Sequence, residues 1–235
     1  MRKKVLITGA SSGIGRVTAV YLDSLGYDLV LVARDKEKLT NLGKDLRDPL
    51  IITYDLNNLA DIEAIFETTK KLRGKLDGLL HCAGINKDQP VKVNNIDDML
   101  GTINVNLLSF IQLARFFCAK KYSNDNSTII AMSSIAAISC DKSMCTYSAS
   151  KAGIDAAVKV MSKEFAKRKI RVNSIQPTFV DTPMIKDMAD YAEKVEAQPL
   201  GVIQPINVAY LIEFLLSDKA RFISGSNIKM SSAVI

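Results

Sequence analysis

The stretch KVLITGASSGIG, residues 4–15, decides the fold. KVLITG (4–9) is a short apolar run closed by glycine, which suits a buried strand. IGRVTAVYLDSLG (14–26) repeats its apolar side chains at helical period and stops at Gly26. Between them Gly9, Gly13 and Gly15 follow a G-x-x-x-G-x-G spacing, with Ser11, Ser12 and Ile14 filling the turn. The first glycine permits a tight turn, the second lets the backbone approach a pyrophosphate, and the third lets helix and strand pack closely. The helix N-terminus adds amides and the positive end of its dipole. A glycine-rich turn is also what an ordinary strand–helix connection looks like. Its place between a first strand and a helix is what favours the nucleotide reading. No G-K-[ST] follows, which excludes a P-loop for nucleoside triphosphates.

The alternation continues. DLVLVA (28–33) is a strand, DKEKLTNLGKDL (35–46) a charged helix and PLIITYDL (49–56) a third strand. LADIEAIFETTKKLRG (59–74) sets Leu59, Ile62, Ile65 and Phe66 on one helical face, and LDGLLHCAG (76–84) is a fourth strand. A long helix is predicted over about 96–121, a strand over STIIAMSS (127–134), a helix over about 147–169 and a strand over IRVNSIQP (170–177). PINVAYLIEFLLSD (205–218) makes a last helix and SNIKMS (226–231) a short last strand. Apolar strands separated by helices indicate an α/β fold: a doubly wound, mostly parallel sheet of about seven strands with helices on both faces. No linker or repeat divides the chain, so one domain over 1–235 is expected. Residues 178–204 are weakly periodic and suit a substrate loop.

Bulk composition narrows the partners. Of the 235 residues 48% are hydrophobic and 24% charged, an ordinary globular balance. No uninterrupted apolar run reaches the roughly 18 residues of a membrane span, and the apolar stretch after Arg2–Lys4 is too short for a secretory signal. A cytoplasmic protein without a membrane partner is expected. Cys82, Cys118, Cys140 and Cys145 show no C-x-x-C spacing and only one histidine is present, which argues against a metal site. The net charge of +6 favours anionic partners, but no arginine-rich or aromatic–basic tract points to nucleic acid.

The second strand ends Val32-Ala33-Arg34-Asp35, where a dinucleotide fold places its adenosine ribose. An acidic residue there would bind both ribose hydroxyls. Ala33 cannot, whereas Arg34 can fork onto a 2′-phosphate, and Arg16 in the first helical turn reaches toward the same region. NADP(H) is therefore favoured over NAD(H). Two alternatives stay open: Asp35 facing the ribose in a shifted register, and Arg34 as a solvated charge before a helix.

A proton carrier is harder to find in a chain with one histidine. TYSASKAG (146–153) places Tyr147 four residues before Lys151, on one face of a helix. An ammonium beside a phenol favours the phenolate, so Lys151 is expected to pull the Tyr147 pKa down from about 10 toward the working pH. Such a pair is also a common surface motif, and a serine pair after a strand is commonly a turn.

The combination is more specific. TGASSGIG, the HCAG that ends strand four, NVN (104–106), Ser133–Ser134 ending strand five, YSASK (147–151) and RVNSIQP (171–177) occur in order, with Ser134 thirteen residues before Tyr147. Over nearly its whole length the chain resembles the short-chain dehydrogenase/reductase family. That resemblance implies a Rossmann-type fold, a nicotinamide cofactor bound in the same domain as the substrate, and homo-oligomers (dimers or tetramers) built through the long fourth and fifth helices. It implies that Tyr147 is the general acid for carbonyl reduction and the base for alcohol oxidation. Lys151 would hold the nicotinamide ribose, Ser134 the substrate oxygen, and Asn106 a water relay. Asp55 and Leu56 match the adenine contact, Ala83 and Gly84 the segment passing the ribose, and Pro177, Val180 and Thr182 the nicotinamide side.

The sequence departs from the family pattern at three places. His81 and Cys82 replace two asparagines, Thr178 replaces a glycine after Pro177, and SNIKMSSAVI (226–235) lacks a Gly-Gly pair. CAGINKDQPV (82–91) and FLLSDKARFISGSNIKM (214–230) look most like bacterial β-ketoacyl-(acyl carrier protein) reductases. Those enzymes meet an acidic carrier through basic helix ends, for which Lys120, Lys121, Lys167, Arg168 and Lys169 are candidates. Cations at helix C-termini also simply complement the dipole. A free ketone, a sugar or a polyketide-type substrate is the rival reading, and a nucleotide-sensing regulator without turnover a more distant one. Met184, Ile185 and Met188 suggest an apolar lining for the substrate loop.

Overall fold

A computed structural model describes residues 2–186 and 191–234. Seven strands form one sheet: β1 (Lys4–Thr8), β2 (Asp28–Ala33), β3 (Leu50–Thr53), β4 (Leu76–His81), β5 (Ser123–Met132), β6 (Arg171–Pro177) and β7 (Asn227–Met230). Their order is β3-β2-β1-β4-β5-β6-β7 and every pairing is parallel. Parallel neighbours need crossovers, and helices provide them: α1 (Gly13–Ser24), α2 (Lys36–Lys44), α3 (Glu63–Arg73), α4 (Ile96–Ile103), α5 (Ser109–Phe117), α6 (Ala136–Ser139) and α7 (Cys145–Glu164). Beyond β6 follow α8 (Pro183–Lys186), α9 (Tyr191–Glu196) and α10 (Pro205–Leu216).

The two-residue period of the strands sorts the core into two layers. Val5 and Ile7 of β1 pack with Ala19 and Leu22 of α1, Leu39 of α2 and Ile212 of α10. Leu6, between them, packs on the other face with Phe66 of α3, Phe110 and Phe117 of α5 and Val158 of α7. Strands buried on both sides have no polar face, which is why their sequences read as continuous apolar runs.

Three predicted elements differ in extent. The helix expected over 96–121 is interrupted by a π-helical segment, Asn104–Leu108, and ends at Phe117. This composite Ile96–Phe117 helix is, among the described residues, the one stretch long and apolar enough to cross a bilayer; Phe110, Leu113, Ala114 and Phe117 bury one side of it in the core. Strand β5 begins at Ser123, four residues early, because Leu76 pairs Ser123 and then Gly78 pairs Thr128, a bulge accommodated by Asn126 at φ +62°. The segment 178–204 is not featureless: it holds α8, α9 and a bridge between Val180 and Ile203.

The chain ends in a left-handed turn built without glycine. Ser232 and Ala233 take φ values of +50° and +64°, and the Ser232 hydroxyl donates to the Gly201 carbonyl at 2.6 Å. A Cβ in the left-handed region costs about 1 kcal/mol. Ala233→Gly is expected to stabilise the protein by about 0.5–1 kcal/mol, raising Tm by about 1–3 °C in thermal denaturation. An unchanged or lower Tm would contradict the strain.

Candidate active site

Strand order reverses between β1 and β4, and the crevice beyond their C-terminal ends is where such sheets bind ligands. The glycine turn opens it. Gly9 has φ +66°, and a Cβ there would lie 2.7 Å from the Ala83 amide nitrogen; at Gly15 it would lie 2.4 Å from the Gly9 carbonyl oxygen. These two glycines therefore bring backbone against backbone, joining the turn to the end of β4. Ser12 is the N-cap of α1, yet its hydroxyl caps nothing, and no acidic side chain stands in the first turn. The first-turn amides lack a side-chain acceptor, which suits a phosphate. Gly13, at φ +51°, faces the Thr182 methyl, so this segment of the 178–204 region closes over the turn.

The Ala10 amide donates to the Val32 carbonyl at 3.4 Å and thereby sets the end of β2 beside the glycine turn. Arg34, the next exposed residue after β2, makes no ion pair among the described residues. Asp35 instead caps α2, accepting the Lys38 amide at 3.0 Å, and that bond with the Lys38 side chain holds its carboxyl below the ordinary range. The register in which Asp35 faces a ribose is not the one adopted. Arg16 lies 3.9 Å from Asp45 on the surface. Asp55 closes a turn on the Asn57 amide at 2.9 Å, while Leu56 is buried under it.

Strand β4 delivers His81, Cys82, Ala83 and Gly84 into the crevice floor. The Ala83 amide donates to Thr8 Oγ1 at 3.3 Å. Asn106 sits wholly buried in the π-turn; its Oδ1 accepts the Ile85 amide at 2.8 Å, and its Nδ2 donates to the Ile85 carbonyl at 3.0 Å and to Ser150 Oγ at 3.0 Å. Burial pushes the Cys82 thiol up to about 12, so it is an inert thiol there.

Beyond β5, Ser134 accepts the Ala136 amide at 3.1 Å and its hydroxyl meets that of Tyr147. Lys151, buried one turn along α7, donates from Nζ to the Met132 carbonyl at 2.7 Å, and Nζ lies 5.5 Å from the centre of the Tyr147 ring. The expected depression of the Tyr147 pKa is not found. Burial raises it above the ordinary tyrosine value, Asp88 adds to the rise, and the Ser134 hydrogen bond offsets only part. Lys151 is affected too: burial pushes its ammonium down to about 8 against the opposing pull of Asp155.

These groups open into one cavity of about 1050 Å³. Ile14, Gly84, Ser134, Tyr147, Lys151, Pro177, Val180 and Thr182 all line it. Gly9, Ser11, Ser12, Gly13, Gly15, Arg34, Asp55, Leu56, Ala83 and Asn106 stand outside its lining. Met184 and Ile185 line it as expected; Met188 lies outside the described residues. Sequence reasoning missed Asp88, Lys142 and Val234 on its wall. Val234 arrives only because the left-handed 232–233 turn folds the tail back, and nothing local in the sequence signals that. Thr178 keeps negative φ, donates its amide to Met230 and presents a buried hydroxyl without a partner at the cavity wall. Among the described residues no group of three or more His, Cys, Asp or Glu side chains could hold a metal ion.

Two of the basic helix-end side chains are engaged within the chain. Lys121 binds Glu63 at 2.9 Å and Glu67 at 3.1 Å, and Arg168 binds Asp125 and the carbonyls of Cys118 and Ser123. They stand before β5 and β6, at the edge of the sheet opposite Ser134, roughly 20 Å or more away along the strand. Lys121 and Arg168 thus make structural links within the chain.

Residues 9–232 match the family model described as enoyl-(acyl carrier protein) reductase. The chain is 35% identical over 236 residues to the 3-oxoacyl-[acyl-carrier-protein] reductase FabG of Rickettsia conorii, covering 99% of this chain and 97% of that protein. It is 33% identical over 218 residues to the 3-oxoacyl-[acyl-carrier-protein] reductase of Bos taurus, covering 92% of each. Among solved structures, a short-chain dehydrogenase/reductase described as a glucose/ribitol dehydrogenase, from Brucella melitensis, superposes with a TM-score of 0.94 at 27% identity over 100% of this chain and 99% of that one. A metagenomic blue fluorescent protein in complex with NADPH shares the fold, with a TM-score of 0.93 at 24% identity, over 99% of this chain and 97% of that one.

Proposed function

Because the chain belongs to the short-chain dehydrogenase/reductase family of oxidoreductases, we propose that it reduces the keto group of a 3-oxoacyl thioester, with NADPH as reductant. The observation that carries this is the meeting of two hydroxyls, Ser134 and Tyr147, at one point of the cavity with the Lys151 ammonium behind them. Two hydroxyls converging on one atom serve a developing alkoxide. They deliver a proton to oxygen rather than to carbon, so we assign a ketone rather than a carbon–carbon double bond. The relatives named 3-oxoacyl reductases support the thioester class.

The residues present fit a dinucleotide. The uncapped N-terminus of α1 would hold the pyrophosphate, Arg34 the 2′-phosphate and Asp55 the adenine side. Gly84 and Lys151, with Ala83 packed against Gly9 beside them, would border the nicotinamide ribose, and Pro177, Val180 and Thr182 the ring. Bound there, the reduced cofactor supplies the hydride. The chain's own residues do the rest. Ser134 donates to the keto oxygen, and Tyr147, held protonated by burial, gives that oxygen its proton. Lys151 stabilises the phenolate left behind, and Asn106 positions the Ile85 backbone and α7 around it. We assign homo-oligomer assembly to the exposed apolar Ile96, Leu100 and Leu108 of the composite helix and Val160 of α7.

The acid form of Tyr147 and the charged form of Lys151 are both needed for reduction. Tyr147 stays protonated beyond its usual range, so the limiting group is Lys151, at about 8. Its charge is present below that pH and lost above it. kcat/KM for reduction is therefore expected to be flat from pH 6 to 7 and to fall about tenfold per unit once pH exceeds about 8. A rate still rising at pH 9 would contradict the assignment. NADPH oxidation with a 3-oxoacyl thioester, run beside simple ketones and keto-sugars, tests the substrate class: at least a tenfold preference for the thioester is expected. No thioester turnover despite intact NADPH binding would overturn it.

A further inference from the structure

The one histidine of the chain joins, by its two ring nitrogens, elements the reaction depends on. His81 is wholly buried at the end of β4. Its Nδ1 lies 3.1 Å from Thr8 Oγ1 on β1, and its Nε2 lies 3.2 Å from the backbone carbonyl oxygen of Asn106 in the π-turn. A carbonyl oxygen only accepts, so Nε2 must carry the proton. Nδ1 then offers a lone pair, and the Thr8 hydroxyl donates to it while accepting the Ala83 amide. Every direction along this chain of bonds is thereby set. We propose that His81 is a positioning residue: a neutral imidazole, fixed as its Nε2–H tautomer, that latches the π-turn carrying Asn106 to the β1–β4 floor of the cofactor crevice.

The latch has something to hold. A π-turn is a one-residue insertion into an α-helix, rare and short-lived in extent unless tertiary contacts favour it. Return to α-helical register would rotate Asn106 by about 100°. Its side chain would then leave the Ile85 backbone and Ser150, whose hydroxyl in turn donates to the Tyr147 carbonyl at 2.7 Å. Position 84 shows how close this lies to the chemistry: a Cβ built on Gly84 would be 3.3 Å from Lys151 Nζ and 3.5 Å from Asn106 Oδ1. His81 therefore holds Asn106 by its backbone, and Asn106 holds the segment that borders Lys151 by its side chain. The surroundings keep the imidazole neutral. The Phe110 ring lies 5.6 Å away, and burial together with the Lys151 charge holds the His81 pKa down to about 3.

The kinetic consequence rests on the reductase reading; the tautomer does not. Nitrogen-15 NMR of the wild-type protein reads the single histidine directly. An Nε2–H tautomer unchanged from pH 5 to 8 is expected, whereas an Nδ1–H tautomer or titration near the usual histidine value of about 6.5 would overturn the proposal. Two variants separate the ends of the latch, since glutamine reproduces the Nε2 donor and asparagine only the Nδ1 side. His81→Gln is expected to keep kcat within about threefold. His81→Asn should lose about tenfold in kcat and gain a larger solvent isotope effect, with the KM for NADPH within about threefold. Equal kcat in both variants, with only Tm lowered, would mean a histidine that merely fills the core and would overturn the latch. If the wild-type protein turns over no thioester, the reductase reading fails while the NMR result still decides the tautomer.

Discussion

Tyr147→Phe is expected to lower kcat for thioester reduction by about 1000-fold or more while NADPH binds within about threefold of wild type. The size follows from what the hydroxyl does. General acid catalysis contributes about 10²–10⁴ in rate, and the neighbouring Ser134 hydroxyl, which accepts the Ala136 amide, lacks the phenol's acidity and cannot take its place as the acid. The ring itself stays, so the wall that Tyr147 contributes to the cavity is unchanged. Cofactor affinity should hardly move, because the phosphate-binding end of the crevice is built from the glycine turn and α1, remote from Tyr147 along the sheet edge. Stopped-flow turnover and fluorescence titration with NADPH check the two halves. Residual turnover above about a tenth of wild type would remove the acid role from Tyr147.

Arg34→Glu is expected to weaken NADPH by about 100-fold while changing NADH by less than threefold. An arginine–phosphate fork is a charge-assisted pair worth about 1.5–3 kcal/mol, or roughly one to two powers of ten in affinity. The reversed charge adds repulsion of the 2′-phosphate. Arg34 is exposed at the end of β2, beside the glycine turn, and its neighbour Asp35 is occupied in capping α2. No acidic group at that position is thus left to select the unphosphorylated ribose. Kd values for both cofactors, taken at one ionic strength, are the check. Equal weakening of NADPH and NADH would make Arg34 a general surface charge and undo the argument for NADPH.

Several of these features were legible before any coordinates. Strands buried on both faces leave no polar period, and the runs KVLIT, DLVLVA and LDGLLH show it directly; with helices between them they imply the parallel sheet. Gly9 and Gly15 were legible because backbone contact tolerates no Cβ. What escaped was everything decided by long-range packing. The π-turn at 104–108 carries the same apolar spacing as the helix around it, so one inserted residue leaves no mark in the pattern. Lys121 and Arg168 look like free helix-end cations until Glu63, Glu67 and Asp125 arrive from elsewhere in the chain. The Tyr147 shift runs opposite to the sequence expectation for the same reason. A neighbouring lysine is visible in sequence, but the burial that outweighs it is a property of the assembled cavity. Ser232 and Ala233 give the reverse lesson: a left-handed turn forms here without glycine, at a cost in backbone strain.

The most direct test of the central assignment is transfer of deuterium from NADPH labelled at the nicotinamide C4 to a 3-oxoacyl thioester, read by mass spectrometry of the product. A 3-hydroxyacyl product carrying one deuterium at the carbinol carbon, in step with NADPH consumed, is the expected result. Consumption of the thioester without label in the product, or no consumption by a protein that binds NADPH, would contradict it.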